Sequence, residues 1–310
     1  MKYVITGCAG FIGSSISEEL VNAGQNVIGI DSFTDYYSRN LKENNIKNII
    51  NKSNFQFKEL DLVIDELSPL FEKVDFVIHL AAYPGVRYSW DKNFESYTRN
   101  NILATQRLLE TLKKTKVKRI VYSSSSSIYG DSKVIPFKEE ESKPSPRSPY
   151  GVSKLAGEHL FQAYYRTLGL PITILRYFTV YGPRQRPDMA FNRFIELISK
   201  NQEIEIFGDG QQIRSFTYIE DVVKATIRSA QADCIGEIIN IGNNDTISLK
   251  DSIRIIEELI EKEARIKYQP KALGDVKDTA ADLTKANKLL DYETKTTIKE
   301  GLRKQIETQL

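Results

Sequence analysis

TGCAGFIG, from Thr6 to Gly13, sets glycines at Gly7, Gly10 and Gly13 between an apolar pentapeptide, Lys2 to Thr6, and a helical pattern ending near Asn22. Glycines so spaced allow a tight turn, close approach of main chain to a pyrophosphate, and close packing of helix on strand. The helix that follows begins with amides that have no carbonyl behind them, and these suit phosphate oxygens. A glycine triplet alone is weak evidence, because any turn uses glycine. Asp31 strengthens it. It ends the next apolar run, where an acidic side chain meets the adenosine ribose hydroxyls of a dinucleotide, and a carboxylate there repels a 2′-phosphate. NAD is therefore expected, rather than NADP.

Outward from this turn, short apolar runs alternate with longer segments whose apolar residues recur at three and four. Strands are expected at Lys2 to Thr6, Asn26 to Ile30, Phe55 to Glu59, Phe76 to His79, Arg119 to Tyr122 and Ile172 to Arg176, with helices such as Gly13 to Asn22 and Thr98 to Lys114 between them. That alternation means an α/β fold, a Rossmann-type doubly wound parallel sheet covered on both faces. Ligands bind such sheets outside the carboxyl ends of the strands. There, Asp61 is placed to accept a bond from the adenine amino group, and the small residues of LAA, Leu80 to Ala82, let the main chain pass close to the cofactor. His79, just before them, reads as a structural residue. Past Tyr177 the pattern loosens into turn-rich pieces and helices such as Leu249 to Lys262 and Ile298 to Thr308. This predicts a dinucleotide lobe over 1–177 and a smaller α/β substrate lobe over 178–310, with some chain crossing between them. Lys143 to Pro149, with three prolines, reads as a loop leading into a helix.

Composition excludes several classes. A formal charge of +2 over 310 residues leaves no basic excess for nucleic acid. The two cysteines, Cys8 and Cys234, lie in unrelated contexts with no metal-ligand spacing, so neither a disulfide framework nor a metal site is expected. No apolar run approaches the roughly 18 residues of a membrane helix, and the opening strand leaves no room for a signal peptide. A cytoplasmic protein is the expectation.

YGVSK, Tyr150 to Lys154, sets Tyr and Lys four apart on one helix face. A phenol with an unperturbed pKa of about 10 needs about 3.4 kcal/mol of differential stabilisation to be ionised near pH 7.5. A neighbouring ammonium and the positive ring of oxidised nicotinamide supply energy of that order. Y-x-x-x-K is common on helices and gains meaning only after a dinucleotide turn and a serine run, here Ser123 to Ser127. Ser125 is the hydroxyl expected to bond the reacting substrate oxygen and relay its proton to Tyr150.

TGCAGFIG, Asp31, LAA, SSSSIYG, YGVSK and RYFTVYGPRQRPDMA, with GDGQQIRSFTYIEDVV and LGDVKDTAAD further on, together resemble the extended short-chain dehydrogenases that act on nucleotide-sugars, almost end to end. The resemblance implies tightly bound NAD in the first lobe and a UDP- or dTDP-sugar in the second. To the cofactor it adds Phe11, Ile12, Leu62, Asn101 and Tyr177, with Tyr150 and Lys154 shared. Epimerases, dehydratases and decarboxylases of this kind all begin by oxidising the sugar at C4. Dehydratases carry an Asp-Glu pair where Ser126 and Ser127 stand, and decarboxylases a Glu at Ser127. Their absence leaves epimerisation, with Ser127 counted beside Ser125 in the catalytic set.

PRQRPDMA, Pro183 to Ala190, and GVRYS, Gly85 to Ser89, are similar to UDP-glucuronate 4-epimerases of bacteria and plants, whereas epimerases for neutral hexoses usually have Asn at Thr179. The substrate pair so implied is UDP-glucuronate and UDP-galacturonate. A cation at Arg186 suits a uronate carboxylate. Arg87 reads equally as a ligand contact or a structural salt bridge. Ser125, Ser126, Ser127 and Thr179 complete the expected sugar contacts. By resemblance Arg214 meets the diphosphate, Phe207 the uridine and Asp275 its ribose. The alternatives are an epimerase for UDP-glucose or UDP-N-acetylglucosamine, a UDP-glucuronate decarboxylase, and, from another class, a non-catalytic NAD-sensing regulator. The Tyr83-Pro84 pair departs from the commoner Gln-Ala. A homodimer, through helices near Glu95 to Lys114 and Tyr150 to Thr167, is a further expectation from the resemblance.

Overall fold

The computed structural model describes the whole chain except Asp131, Lys133 and Lys277. Its centre is a seven-stranded parallel sheet. The strands are β1 (Lys2–Thr6), β2 (Asn26–Asp31), β3 (Phe55–Glu59), β4 (Phe76–His79), β5 (Arg119–Ser125), β6 (Ile172–Tyr177) and β7 (Ile238–Ile241), in the order β7-β6-β5-β4-β1-β2-β3. The order reverses between β1 and β4, and the loops leaving these two strands diverge there to open a crevice. β1, β4 and β6 are almost wholly buried, as a sheet covered on both faces requires.

Helices pack on both faces: α1 (Phe11–Asn22), α2 (Arg39–Ile46), α3 (Ala104–Leu112), α4 (Pro149–Leu168), α5 (Ala190–Ser199), α6 (Ile219–Gln231), α7 (Leu249–Ile260), α8 (Thr284–Leu290) and α9 (Ile298–Gln309). α3 is continued backwards by a π-helical stretch, Thr98–Leu103, and one turn, Phe94–Tyr97. α4 starts at Pro149 behind Ser148, whose hydroxyl accepts from the Gly151 amide, so the proline-rich loop ends in a capped helix. The division at 177/178 is crossed by the chain. β7 pairs with β6, and α6 packs on α1, so two elements from the second half complete the large sheet layer. The second lobe adds three two-stranded pieces, among them Glu203–Phe207 paired with Arg265–Gln269. β5 runs three residues further than its apolar run, into the serines.

Candidate active site

The glycine turn is set by contact. Gly7 has φ +74, and a Cβ there would stand 2.8 Å from the Ala81 amide; a Cβ on Gly13 would stand 2.0 Å from the Gly7 carbonyl. α1 begins at Gly10 with no side-chain cap and no acidic residue in its first turn, so its first amides are left for a ligand. Gly7, Gly10, Phe11, Ile12 and Gly13 border a long cleft together with Asp31, Asp61, Leu62, Leu80, Ala81, Ala82, Tyr150, Lys154 and Arg186. Asp31 accepts from the Ala9 amide at 3.0 Å and the Phe33 amide at 2.9 Å, which fixes its carboxylate at the end of β2. Asp61 is paired with Arg99 at 2.8 Å. These residues fit a dinucleotide: phosphates at the α1 amides, a ribose at Asp31, and the reactive end beside Tyr150.

Two residues assigned to the cofactor are placed elsewhere. Asn101 is 1% exposed, and its amide bridges the Tyr83 main chain and the Ser153 hydroxyl. It lies in the π-helical stretch, whose wider turn gives the cleft Asn100 instead. Tyr177 is buried, with its hydroxyl 2.7 Å from that of Thr226, and borders neither cavity. His79 is structural, its ring nitrogens 2.7 Å from Thr6 Oγ1 and 3.0 Å from Thr105 Oγ1, and burial pushes its pKa down to about 3.

Tyr150 and Lys154 face the same cleft from α4. Burial pushes the Tyr150 phenol up, while a bond from Ser125 and the field of Arg186 pull it down. Burial brings the Lys154 ammonium down to about 7, against the carboxylate of Glu158. Lys154 Nζ rests 4.6 Å from the centre of the Tyr122 ring. The Ser125 and Ser127 hydroxyl oxygens lie 3.1 Å apart, and the Ser127 amide donates to Ser125 Oγ at 3.2 Å. Ser125 and Ser127 thus form a pair of hydroxyls beyond Tyr150, and Ser127 borders a second cavity.

That second cavity is enclosed by Ser126, Ser127, Arg147, Thr179, Arg214 and Asp275 among others. Arg214 donates to the Val276 carbonyl at 2.8 Å. Arg87 reaches Asp275 at 2.9 Å and lies 4.0 Å over the ring of Phe207, the salt-bridge arrangement of its two readings, and neither Arg87 nor Phe207 borders the second cavity. Arg186 borders the first cleft and is held by Asp188 through two bonds of 3.0 Å, with Tyr36 donating to the same carboxylate at 3.0 Å. Tyr83, the departure noted in the sequence, is buried edge-on against Tyr36 and Tyr97 and bonds Asp35 at 3.1 Å. Tyr97 in turn packs edge-on against Tyr150, ring centres 6.1 Å apart. Sequence reasoning missed Tyr36, Lys42 and Arg147. Lys42, bonded to Thr34, borders the cleft beside Asp31. A cation four residues into a polar helix carries no signal of its own.

Known proteins agree with this geometry. The model of the NAD dependent epimerase/dehydratase family matches residues 3–242. A UDP-glucuronate 4-epimerase of Thermodesulfobacterium geofontis is 42% identical over 98% of this chain and 94% of its own. An uncharacterized UDP-glucose epimerase of Bacillus subtilis is 44% identical over 99% and 97%. The crystal structure of UDP-glucuronic acid 4-epimerase from Bacillus cereus, in complex with UDP-glucuronic acid and NAD, superposes with a TM-score of 0.97 at 43% identity, covering 100% of this chain and 99% of that one. By sequence and by structure, this chain belongs to the NAD dependent epimerase/dehydratase family.

Proposed function

We propose that this protein interconverts UDP-glucuronate and UDP-galacturonate by epimerisation at C4, through a transient 4-keto sugar. The observation that carries the reading is Tyr150 and Lys154 on the cofactor cleft, with Ser126 and Ser127 on the second cavity where elimination or decarboxylation would need a carboxyl group. Among the described residues the one carboxylate bordering the second cavity is Asp275, and it is paired with Arg87. The full-length likeness to the Bacillus cereus uronate enzyme supports the same sugar. The relative bearing a UDP-glucose epimerase name keeps the neutral sugar as the second reading.

Tyr150, as phenolate, takes the proton of the C4 hydroxyl, directly or through Ser125. Lys154 stabilises the phenolate and holds the nicotinamide ribose. Bound NAD supplies a hydride acceptor at C4 and gives the hydride back. Arg214 holds the diphosphate with its planar fork, while Phe207 and Asp275 meet the uridine. The keto sugar turns about its bonds to the β-phosphate and presents its other face, and Tyr150 returns the proton.

A uronate with a ketone at C4 is a β-keto acid and loses carbon dioxide readily, fastest when the breaking bond stands perpendicular to the carbonyl plane. Ser126, Ser127, Thr179 and Arg186 are assigned to hold the carboxylate away from that alignment. Arg186 is already paired with Asp188, so a uronate must share or displace that carboxylate. NMR of the product from UDP-glucuronate tests both points. UDP-galacturonate is expected from the native chain, and weaker binding with some UDP-pentose from Arg186→Ala. UDP-xylose from the native chain means a decarboxylase, and no new sugar means a regulator. Unchanged affinity in the variant removes Arg186 from the carboxylate site.

A homodimer is part of this reading. Val152 on α4 and Leu103 and Phe94 before α3 are exposed at 45%, 44% and 37%, on the two helices expected to pair. Val152→Glu should sediment as a monomer where the native chain sediments as a dimer; a native monomer discards the pairing. Two buried free cysteines, and no helix among the described residues long and apolar enough to cross a membrane, support a cytoplasmic setting.

A further inference from the structure

Behind the reaction centre lies a buried ion pair that the chemistry above does not use. Glu158 stands one helical turn beyond Lys154 on α4, 1% exposed. Its carboxylate receives Arg176 Nε at 3.0 Å, Arg176 Nη2 at 2.8 Å and the Ser124 hydroxyl at 2.5 Å. Arg176 Nη1 donates to the Tyr129 hydroxyl at 2.8 Å, which donates to Asn240 Oδ1 at 2.7 Å, whose amide donates to the Phe137 carbonyl at 2.9 Å. Ser124, Arg176 and Asn240 are in register across β5, β6 and β7, next to the ends of the strands that carry Ser125 and lead to Thr179.

An apolar trio of the same volume would hold these strands and α4 together about as well, since desolvation offsets most of a buried ion pair's attraction. What an apolar trio cannot do is act on a charge. Lys154 is 3% exposed and, among the described residues, makes no ion pair; its ammonium rests on the face of Tyr122. Glu158 is four residues away on the same face of the helix, near enough for its field to act on that ammonium. Every bond it makes pulls it the other way, toward β5 and β6.

We propose that Glu158 is a positioning residue for Lys154: its fixed negative charge keeps the ammonium in place and protonated, while Arg176 and Ser124 hold the carboxylate back so that the ammonium stays unpaired for Tyr150. Burial works against the protonated form and Glu158 works for it, which is the balance such a device would set. The other groups around Lys154 do not supply that charge. Tyr150 from its own helix and Tyr122 from β5 are phenols raised by burial, and His79 from β4 is neutral. The π-helical stretch presents Asn100 and Asn101, with Arg99 paired to Asp61, and Arg186 across the cleft is paired to Asp188. The inference rests on the Tyr150–Lys154 chemistry and holds for either sugar.

The main test is the double variant Glu158→Gln with Arg176→Met, which removes both charges of the pair so that neither partner is left buried without the other. Two quantities are read. One is the pH profile of kcat with UDP-glucuronate, or UDP-glucose if that is the sugar turned over. The other is the titration of the Lys154 Cε resonance in cofactor-free, 13C-lysine protein, assigned by its absence in Lys154→Met. The alkaline limb of kcat and the resonance midpoint should both fall by about one pH unit, with kcat beyond the limb down about tenfold. Should the double variant fail to fold, Arg176→Lys keeps both charges and loses the fork. Glu158 can then lean toward Lys154, so the acid limb should rise and kcat fall about tenfold at unchanged KM. A lysine midpoint and pH limbs that stay at native values in the folded variant overturn the proposal, whereas a native protein that turns over neither sugar, with a midpoint that still shifts in the variant, leaves it standing while the sugar reading fails.

Discussion

Tyr150 and Lys154 are both out of water, and burial moves them in opposite directions, the phenol up and the ammonium down to about 7. Both shifts favour the neutral form, so the bare pair is poised rather than active. The charges that tip it are those of Arg186, Glu158 and the oxidised nicotinamide. The same balance has a consequence for stability. An unfolded lysine keeps its proton to about pH 10.4, and the folded Lys154 loses it near 7. Between those values the unfolded chain binds the extra proton, so this group makes the fold more stable as pH rises from 7 toward 10 and carries its full penalty below 7. Lys154→Met should therefore melt higher than the native, cofactor-free protein at pH 7, by roughly 5 °C for about 2 kcal/mol, while losing turnover. The gap should close toward pH 10. Thermal unfolding at pH 7 and pH 9.5 checks this, and a lower melting point for the methionine variant at pH 7 refutes it.

At the scale of the element, the chemistry depends on how closely α4 sits on β5. A Cβ on Gly157 would stand 2.1 Å from the Tyr122 hydroxyl, so glycine is what lets the helix lie against that ring and bring Lys154 to it. Gly157→Ala should push the helix outward, at a cost of about 1–3 kcal/mol, and lower kcat well beyond any change in KM. Steady-state kinetics with a melting curve decide it; native kcat in the alanine variant would show that the seating is not critical. α4 was legible in the sequence because YGVSK and the three prolines before it are local signals: a four-residue spacing on one helix face, and a loop leading into a helix. The glycine turn was legible for the same reason. The π-helical stretch was not, since an apolar repeat at three and four looks the same whether or not one turn is widened, and Asn100 borders the cleft where Asn101 was expected. The serines that extend β5 carry no strand signal either, being held there by pairing with β6.

Over the whole molecule, six of the seven sheet strands could be read from apolar runs, and β7 could not. Its four residues pair with a strand more than sixty positions earlier, and no local pattern announces such a contact. For that reason the boundary at 177 describes the chain better than the structure, in which α6 and β7 return to the first lobe. The return has a use. It braces β6 from its far side, and from β6 the chain runs directly to Thr179 at the second cavity, while one serine run borders the cofactor cleft through Ser123 and the second cavity through Ser126 and Ser127. One carbon of one substrate must face both. The claim that this carbon is C4, oxidised and then reduced in place, is tested most directly with UDP-glucuronate carrying deuterium at C4, turned over in ordinary water and followed by NMR. The account predicts UDP-galacturonate with the deuterium retained at C4 and no exchange at C5; loss of the label to water, or proton exchange at C5, would contradict it.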